Sequence, residues 1–160
     1  MADLHAKLSQ MAIAFIDAFN EETAESSVRY RGPSCLHRLL PASMGVPPRT
    51  NAEYAAWIQN MYTVIRGFRL RLVGTAGPSD TNSKAGLIVD EKARTVGLHL
   101  ASSAETDVGD YANEYFWMLR FNEDVTVIEE VIEFVDSAYT VGFLAKLEEA
   151  TAKKKEEGTA

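Results

Sequence analysis

Polar and apolar residues alternate through residues 110–136, so side chains able to transfer protons fall on one face of a predicted β-hairpin. In the first half, this face carries two phenols, an amide and an indole: Tyr111, Asn113, Tyr115 and Trp117. After a predicted turn at residues 122–124, the same face carries Glu129, Val131 and Glu133. Phenols, an amide and a carboxylate on one concave surface could bind a small organic molecule and move its protons. The stretch therefore predicts a pocket for acid–base chemistry.

The composition fits one globular domain. The 160 residues are 46% hydrophobic, which suffices for one core, and the chain is too short to expect a second domain. We expect the domain to span residues 1–150. Residues 151–160 are too polar to bury and are predicted to form a disordered tail or a frayed helix end.

Charge and residue counts disfavour several functional classes. The net charge of −7 disfavours nucleic-acid binding, which depends on neutralising phosphates with lysine and arginine. The single cysteine, Cys35, excludes an intramolecular disulfide, and the three histidines lack the spacing of metal ligands. No apolar run is long enough to span a membrane, and the amphipathic N-terminus does not resemble a signal peptide. We expect a cytoplasmic protein with no metal, no membrane partner and no nucleic-acid partner.

Helices are predicted before the hairpin and after it. Asp3 is a candidate N-cap for a helix over residues 4–19, whose apolar residues recur at helical spacing. A second short helix is predicted over residues 21–28. Thr50 and Glu53 form a capping-box pattern for a helix reaching residue 65. A last helix follows residue 136.

Period-two alternation predicts the strands. The expected strands span residues 35–40, 68–72, 84–89, 95–104, 111–121 and 125–135, with turn-forming residues at 74–82. Because most of the strands follow one another directly, we expect an antiparallel meander. The predicted fold class is α+β, with a curved, mainly antiparallel sheet wrapped around the N-terminal helices.

Several segments resemble a known family. The strings YANEYFWMLRF and VIEEVIEFVDSAY, in this order of elements, are similar to the SnoaL-like branch of the nuclear transport factor 2 fold. The strings CLHRLLPASMG and PPRTNAEY are similar to small fungal isomerases of natural-product clusters, including isomerases of meroterpenoid pathways and the semipinacolase of brevianamide-type indole alkaloid pathways. The resemblance implies a cone-shaped barrel, a pocket inside the cone, cofactor-free chemistry and a homodimer.

The semipinacolase resemblance also implies site residues. Four catalytic positions are matched by residue type: Arg38, Tyr111, Tyr115 and Glu133. Four more residues are expected to contact a hydrophobic, polycyclic substrate: His99, Asn113, Trp117 and Trp57. The implied reaction is the semipinacol rearrangement of an oxidised indole alkaloid, a 3-hydroxyindolenine, to a spiro-indoxyl product. The scytalone dehydratase branch is a weaker match, because its paired histidines have no convincing counterparts.

Each candidate has a simpler structural reading. Glu133 could lie on an exposed sheet face, and the two tyrosines could serve packing alone. Arg38 could form a surface ion pair, and His37 is read first as a polar sheet residue. Two other functions stay open, namely a meroterpenoid or polyketide isomerase, cyclase or dehydratase, and a non-catalytic small-molecule-binding module.

Overall fold

The computed structural model of the protein describes residues 3–74 and 86–157. It contains three α-helices, α1 (Leu4–Phe19), α2 (Asn51–Met61) and α3 (Ser137–Glu157), and two 3₁₀ turns at Ser26–Val28 and Ala42–Met44. Six strands form one sheet: β1 (Arg31–Leu40), β2 (Ile65–Leu72), β3 (Leu87–Asp90), β4 (Thr95–Thr106), β5 (Tyr111–Phe121) and β6 (Ile128–Val135).

Helix α1 has the predicted bounds. The Asp3 side chain accepts a hydrogen bond from the backbone N–H of His5, as expected of an N-cap. The face that packs on the sheet is fully apolar and includes Leu8, Ala12, Phe15, Ile16 and Phe19. After the helix, the Asn20 side chain hydrogen bonds to both the N–H and the carbonyl of Leu70. These two bonds fix the end of α1 against strand β2.

Helix α2 begins as predicted and ends earlier. Thr50 and Glu53 form both bonds of the capping box. The helix stops at Met61, and Ile65 instead begins β2, where it pairs with Thr106 of β4. Pairing in the sheet therefore prevails over the helical periodicity that predicted a helix to residue 65.

The helix predicted over residues 21–28 is only the 3₁₀ turn Ser26–Val28. Hydroxyl groups hydrogen bond to nearby backbone here: Ser27 Oγ donates to the Ala24 carbonyl, and Ser26 Oγ donates to the Thr23 carbonyl. Such local bonds compete with helical ones, which explains the difference.

The sheet is mixed, in the order β1-β6-β5-β4-β2, with β3 also paired to β4. The predicted antiparallel meander holds for β4, β5 and β6, whereas β1 pairs in parallel with β6. Among the described residues, the edge strands β1 and β2 do not pair with each other, so the sheet is not closed. Helices and sheet together form the predicted α+β cone. Strand β3 begins at Leu87, and most of the turn predicted at residues 74–82 lies outside the described residues.

Strand β6 contains an irregularity that changes which side chains face inward. Arg120 pairs with Glu130 and Phe121 pairs with Ile128, so Glu129 is an extra residue in a β-bulge. Glu129 is exposed and binds Arg120, which corrects the expectation that it shares a face with Glu133. Beyond the bulge, the inward-facing residues are Val131, Glu133 and Val135.

Helix α3 continues to Glu157, so it extends into the segment predicted to form a disordered tail or a frayed helix end. Residues 158–160 lie outside the described part of the chain. Within residues 3–74 and 86–157, no helix combines the length and the apolarity that crossing a membrane requires.

Candidate active site

A cavity of about 180 Å³ lies within the cone. Its wall is mostly apolar and is built from α2, from the inner faces of β5 and β6, and from α3. The polar groups among its lining residues are few and include Glu133, Tyr111, Tyr115, Tyr62 and Arg49. A largely apolar cavity with a small number of polar groups is the usual form of a site for a small organic ligand.

Glu133 is the only carboxylate among the residues that line this cavity within the described chain. It lies on β6 opposite Trp117 of β5 and is almost fully buried. Burial raises the pKa of its carboxyl to about 8, although the positive charges of Arg31 and Arg49 act in the opposite direction. Glu133 is therefore protonated in much of the population at neutral pH, which suits a general acid.

His37 binds the Glu133 side chain from the neighbouring strand. Its Nε2 lies 2.7 Å from Glu133 Oε2. The imidazole stacks on the ring of Tyr54 with centroids 4.1 Å apart and meets Trp117 edge to face. Burial, reinforced by the charges of Arg31 and Arg49, holds the pKa of His37 well below its ordinary value. His37 is consequently a neutral imidazole at neutral pH.

The two tyrosines belong to a chain of hydrogen bonds on β4 and β5. Ser102 Oγ lies 2.9 Å from the hydroxyl of Tyr115, which lies 2.9 Å from the hydroxyl of Tyr111. Asn113 Nδ2 donates to the Tyr111 hydroxyl and to Thr140 Oγ1 of α3. Burial raises the pKa of both phenols, so both are neutral hydrogen-bond donors at neutral pH.

Two arginines, Arg31 and Arg49, place positive charge near the carboxyl of Glu133. The Arg31 guanidinium is buried over the Tyr54 ring, 4.2 Å from its centroid, and its nitrogens have no hydrogen-bond partner among the described residues. Arg49 lines the cavity, and its guanidinium lies 4.9 Å from the centroid of the Trp57 ring. Arg49 can thus present a cation to a ligand in the cavity.

Five of the eight predicted site residues line the cavity: Tyr111, Tyr115, Glu133, Trp117 and Trp57. Trp117 Nε1 is buried without a hydrogen-bond partner in the described chain, so its N–H is a donor that a ligand oxygen can satisfy.

The other three predicted residues lie elsewhere. Arg38 is 44% exposed and binds Glu130 at 2.8 Å, because strand alternation turns it to the outer face when His37 points inward. His99 binds Glu114 on the outside of the sheet. Asn113 lies behind Tyr111 and supports its hydroxyl. The structure therefore does not bring Arg38, His99 and Asn113 into the cavity wall with the other five predicted residues.

Sequence reasoning missed the roles of His37, Arg31 and Arg49 in this site. Cys35, His37 and Leu39 are alternate residues of β1 and face inward together. The apolar residues on either side of His37 in this alternation therefore predict that its side chain also faces inward. Arg31 has the same phase but was missed because it lies before the extended segment predicted at residues 35–40, with a register shift between Arg31 and Leu36. Arg49 lies in an irregular segment and reaches the site through a bridge between its backbone and that of His37.

The described residues contain no group of three histidine, cysteine, aspartate or glutamate side chains arranged to hold a metal ion. The chemistry available to the site's own residues is proton transfer by Glu133, hydrogen bonding by the phenols, and electrostatic stabilisation by Arg49.

A curved sheet around an inner helix is the architecture of the SnoaL-like class of α+β proteins. The structure of a SnoaL-like protein from Shewanella denitrificans shares this fold at 12% identity, with a TM-score of 0.64 over 86% of this chain and 96% of that one. No family model matches the sequence.

Two proteins from fungi are more similar. Austinoid biosynthesis clusters protein H of Penicillium brasilianum is 32% identical over 149 residues, covering 92% of this chain and 95% of that protein. The BvnE pinacolase from Penicillium brevicompactum is 33% identical, with a TM-score of 0.83 over 92% of this chain and 95% of that one. The chain belongs to this family of SnoaL-like proteins of fungal secondary metabolism.

Proposed function

We propose that the protein is a cofactor-independent isomerase of the cytoplasm that catalyses a semipinacol rearrangement of an oxidised indole alkaloid to a spiro-indoxyl product. The observation that carries this proposal is the buried Glu133 carboxyl, which shares an apolar cavity with the hydrogen-bonded pair Tyr111 and Tyr115. The similarity to a pinacolase supports the reaction class.

The reaction requires no oxidant and no reductant. In a 3-hydroxyindolenine, the hydroxyl O–H bond breaks as a carbonyl forms, and one substituent moves with its electron pair from the carbinol carbon to the imine carbon. The ring nitrogen gains a proton. The substrate loses one proton and gains one, so an acid–base group in a shaped cavity is sufficient.

We assign roles to the cavity residues on this basis. Glu133 exchanges protons with the substrate, and the hydroxyls of Tyr111 and Tyr115 donate hydrogen bonds that orient it. Arg49 stabilises negative charge that develops on oxygen. The unpaired N–H of Trp117 binds a substrate oxygen, and Trp57 forms part of the apolar wall.

The test is turnover of a synthetic racemic 3-hydroxyindolenine by the purified protein, with products separated by chiral chromatography. We expect one spiro-indoxyl enantiomer in excess, and we expect Glu133→Gln to remain folded and lose about 100-fold or more in rate. A chelator should leave the rate unchanged. Equal turnover by Glu133→Gln would refute the assigned role of the carboxyl.

A second candidate is isomerisation of a meroterpenoid or polyketide in the same cavity. It is favoured by the 32% identity to a protein of an austinoid cluster. Turnover of a meroterpenoid lactone or ketone, with none of the indolenine, would select it. Tight binding of either compound without turnover would instead indicate a binding module.

We further propose that the protein forms a homodimer through the outer face of the sheet. Exposed apolar side chains cluster there: Ile88, Phe116, Met118 and Phe134. Along β5, the outward residues run in the order Glu114, Phe116, Met118, Arg120. A two-fold axis between Phe116 and Met118 places Glu114 opposite Arg120 of the partner subunit, so this row is complementary to itself.

Sedimentation velocity tests the dimer. Phe116→Lys should shift the protein to monomer, because it places a charge at the centre of the apolar patch. Ile13→Lys is the matched control, since Ile13 on α1 is 44% exposed and Phe116 is 40% exposed. A wild-type monomer at micromolar concentration, or equal effects of both variants, would contradict this interface.

A further inference from the structure

His37 is held on several sides and does not belong to the cavity wall. It is 2% exposed, its ring stacks on Tyr54, and its backbone N–H and carbonyl both hydrogen bond to Arg49. The cavity-lining residues include Glu133 and not His37. A residue so placed cannot reach a substrate, but it can determine how the Glu133 carboxyl is oriented.

The neutral imidazole has two tautomers, and the contacts favour one of them. Nδ1 is buried without a hydrogen-bond partner in the described chain, whereas Nε2 meets Glu133 Oε2 at 2.7 Å. Nδ1 has no partner in either tautomer: a proton on Nδ1 leaves a buried N–H unpaired, whereas a proton on Nε2 leaves only the Nδ1 lone pair unpaired. Orphaned buried N–H groups are the rarer of these two cases in folded proteins. A proton on Nε2 is used in the bond to Glu133. With the proton of Glu133 on Oε1, these contacts favour the Nε2–H tautomer.

The charged groups around this pair limit how many protons it holds. Arg31 and Arg49 act on both residues, and the phenols of Tyr54, Tyr111 and Tyr115 also face Glu133. The two guanidinium groups disfavour an imidazolium beside them. Burial disfavours the bare carboxylate. The His37–Glu133 pair thus carries one exchangeable proton, and that proton belongs to the carboxyl.

We propose that His37 is a positioning residue whose Nε2–H donates to Oε2 of Glu133 throughout the reaction, so that Oε1 alone carries the exchangeable proton into the cavity. This inference rests on the proposed function. The Oε1–H bond breaks as this proton binds the basic atom of the substrate, and Oε1 then takes the proton that the substrate hydroxyl loses. His37 keeps its own proton, and the pair ends each turnover as it began.

The tautomer can be read without any substrate. In the full-length protein with ¹⁵N-labelled histidine, the NMR shifts of His37 should show a protonated Nε2 and an unprotonated Nδ1 between pH 6 and 8. An imidazolium, or a proton on Nδ1, would overturn the proposal. Because this measurement needs only the wild-type protein, it stands whether or not an indolenine is turned over.

Two substitutions separate positioning from simple packing. In His37→Gln, the amide N–H₂ can still donate to Oε2, whereas His37→Leu has no donor. We expect His37→Gln to keep kcat within about fivefold of wild type, and His37→Leu to lose about 10- to 100-fold in kcat with little change in KM. Equal kcat in the two variants would contradict a role through the hydrogen bond.

The protonation of the Glu133 carboxyl can be measured directly, which tests the proposal even if His37→Leu is inactive for another reason. Infrared difference spectra against Glu133→Gln isolate the C=O stretch of Glu133 during a pH titration. In His37→Leu the Glu133 carboxylate loses a hydrogen-bond donor, so the titration midpoint of Glu133 should rise. In His37→Gln the donor is kept, so the midpoint should stay near the wild-type value. An unchanged midpoint in His37→Leu would overturn the proposal, even if no substrate of the enzyme were known.

Discussion

The hydroxyl of Tyr115 is hydrogen bonded to the hydroxyl of Tyr111, four residues earlier on the same strand, at 2.9 Å. Tyr115 is the inner member of this pair, since its hydroxyl also contacts Ser102 Oγ in the buried interior. Tyr111 is the outer member and is supported by Asn113. The pair joins the core of the sheet to the cavity through a continuous row of hydroxyl groups.

The two tyrosines should therefore respond differently to loss of the hydroxyl. Tyr115→Phe removes the partner of the buried Ser102 Oγ and one of the two hydrogen bonds of the Tyr111 hydroxyl, and we expect it to lower the free energy of unfolding by about 1–3 kcal/mol. Tyr111→Phe should cost less, because Asn113 keeps its bond to Thr140. Urea denaturation of both variants measures the difference. A larger loss of unfolding free energy in Tyr111→Phe than in Tyr115→Phe would contradict the greater contribution assigned to the Tyr115 hydroxyl.

Stability should also depend on pH through Glu133 and His37. The carboxyl pKa is raised from its ordinary 4.5 to about 8, so its contribution is complete below pH 4.5 and is lost as pH rises towards 8. The pKa of His37 is lowered from its ordinary 6.5, so its contribution is lost as pH falls below 6.5. The two effects oppose each other between pH 4.5 and 6.5. Above pH 6.5 only the loss from Glu133 remains.

We therefore expect the free energy of unfolding to fall by about 2 kcal/mol between pH 6.5 and 8 on account of Glu133. Urea titrations at several pH values measure it as the difference between wild type and Glu133→Gln, which cancels the contributions of other groups. Parallel curves for the two proteins over this range would mean that the carboxyl is not protonated in the folded state.

Arg38 and Arg49 both adjoin His37, one along β1 and the other through a backbone bridge, and they form a natural comparison. Arg49→Ala should raise KM by about 5- to 10-fold, because the cavity loses a cation held over Trp57. Arg38→Ala should leave kcat and KM unchanged and alter stability by less than about 1 kcal/mol, because its ion pair with Glu130 is on the surface. Steady-state kinetics of both variants checks this, and a kinetic defect confined to Arg38→Ala would reverse the assignment.

The capping box of α2 supports the site indirectly, since α2 carries Tyr54 and Trp57. Thr50→Ala removes the acceptor for the Glu53 N–H and should lower the free energy of unfolding by about 1 kcal/mol. Thr50→Ser keeps the oxygen and should be close to wild type. Thermal unfolding of the two variants measures this. Equal melting temperatures for Ala and Ser would indicate that the cap contributes no stability.

Local signals in the sequence predicted much of the fold. The N-cap at Asp3, the capping box at Thr50 and the alternation over residues 111–121 gave correct element starts or bounds, because short-range bonds and one-sided burial determine them. The end of α2 and the parallel pairing of β1 depend on contacts between distant segments. No local pattern encodes those contacts.

The site residues also differ in whether a local pattern or a contact between distant segments determines their position. Tyr111, Tyr115 and Trp117 follow simple alternation along a regular strand, and the sequence placed them correctly on one face. Arg38 and His37 are adjacent, so only the phase of β1 decides which one faces Glu133. That phase is determined by pairing with β6 and by the register shift after Arg31. For this reason the sequence could not show that Arg38 faces outward, where it pairs with Glu130.

The bulge at Glu129 has a further consequence for how such enzymes diversify. If alternation continued unbroken from the buried Ile128, Glu133 would face outward and Phe134 would face the cavity. The extra residue reverses that phase for the remainder of the strand. One codon gained or lost within β6 can thus exchange an acid for a hydrocarbon in the cavity wall without any substitution, so related proteins with an unbulged β6 can share this fold and yet lack the buried carboxyl.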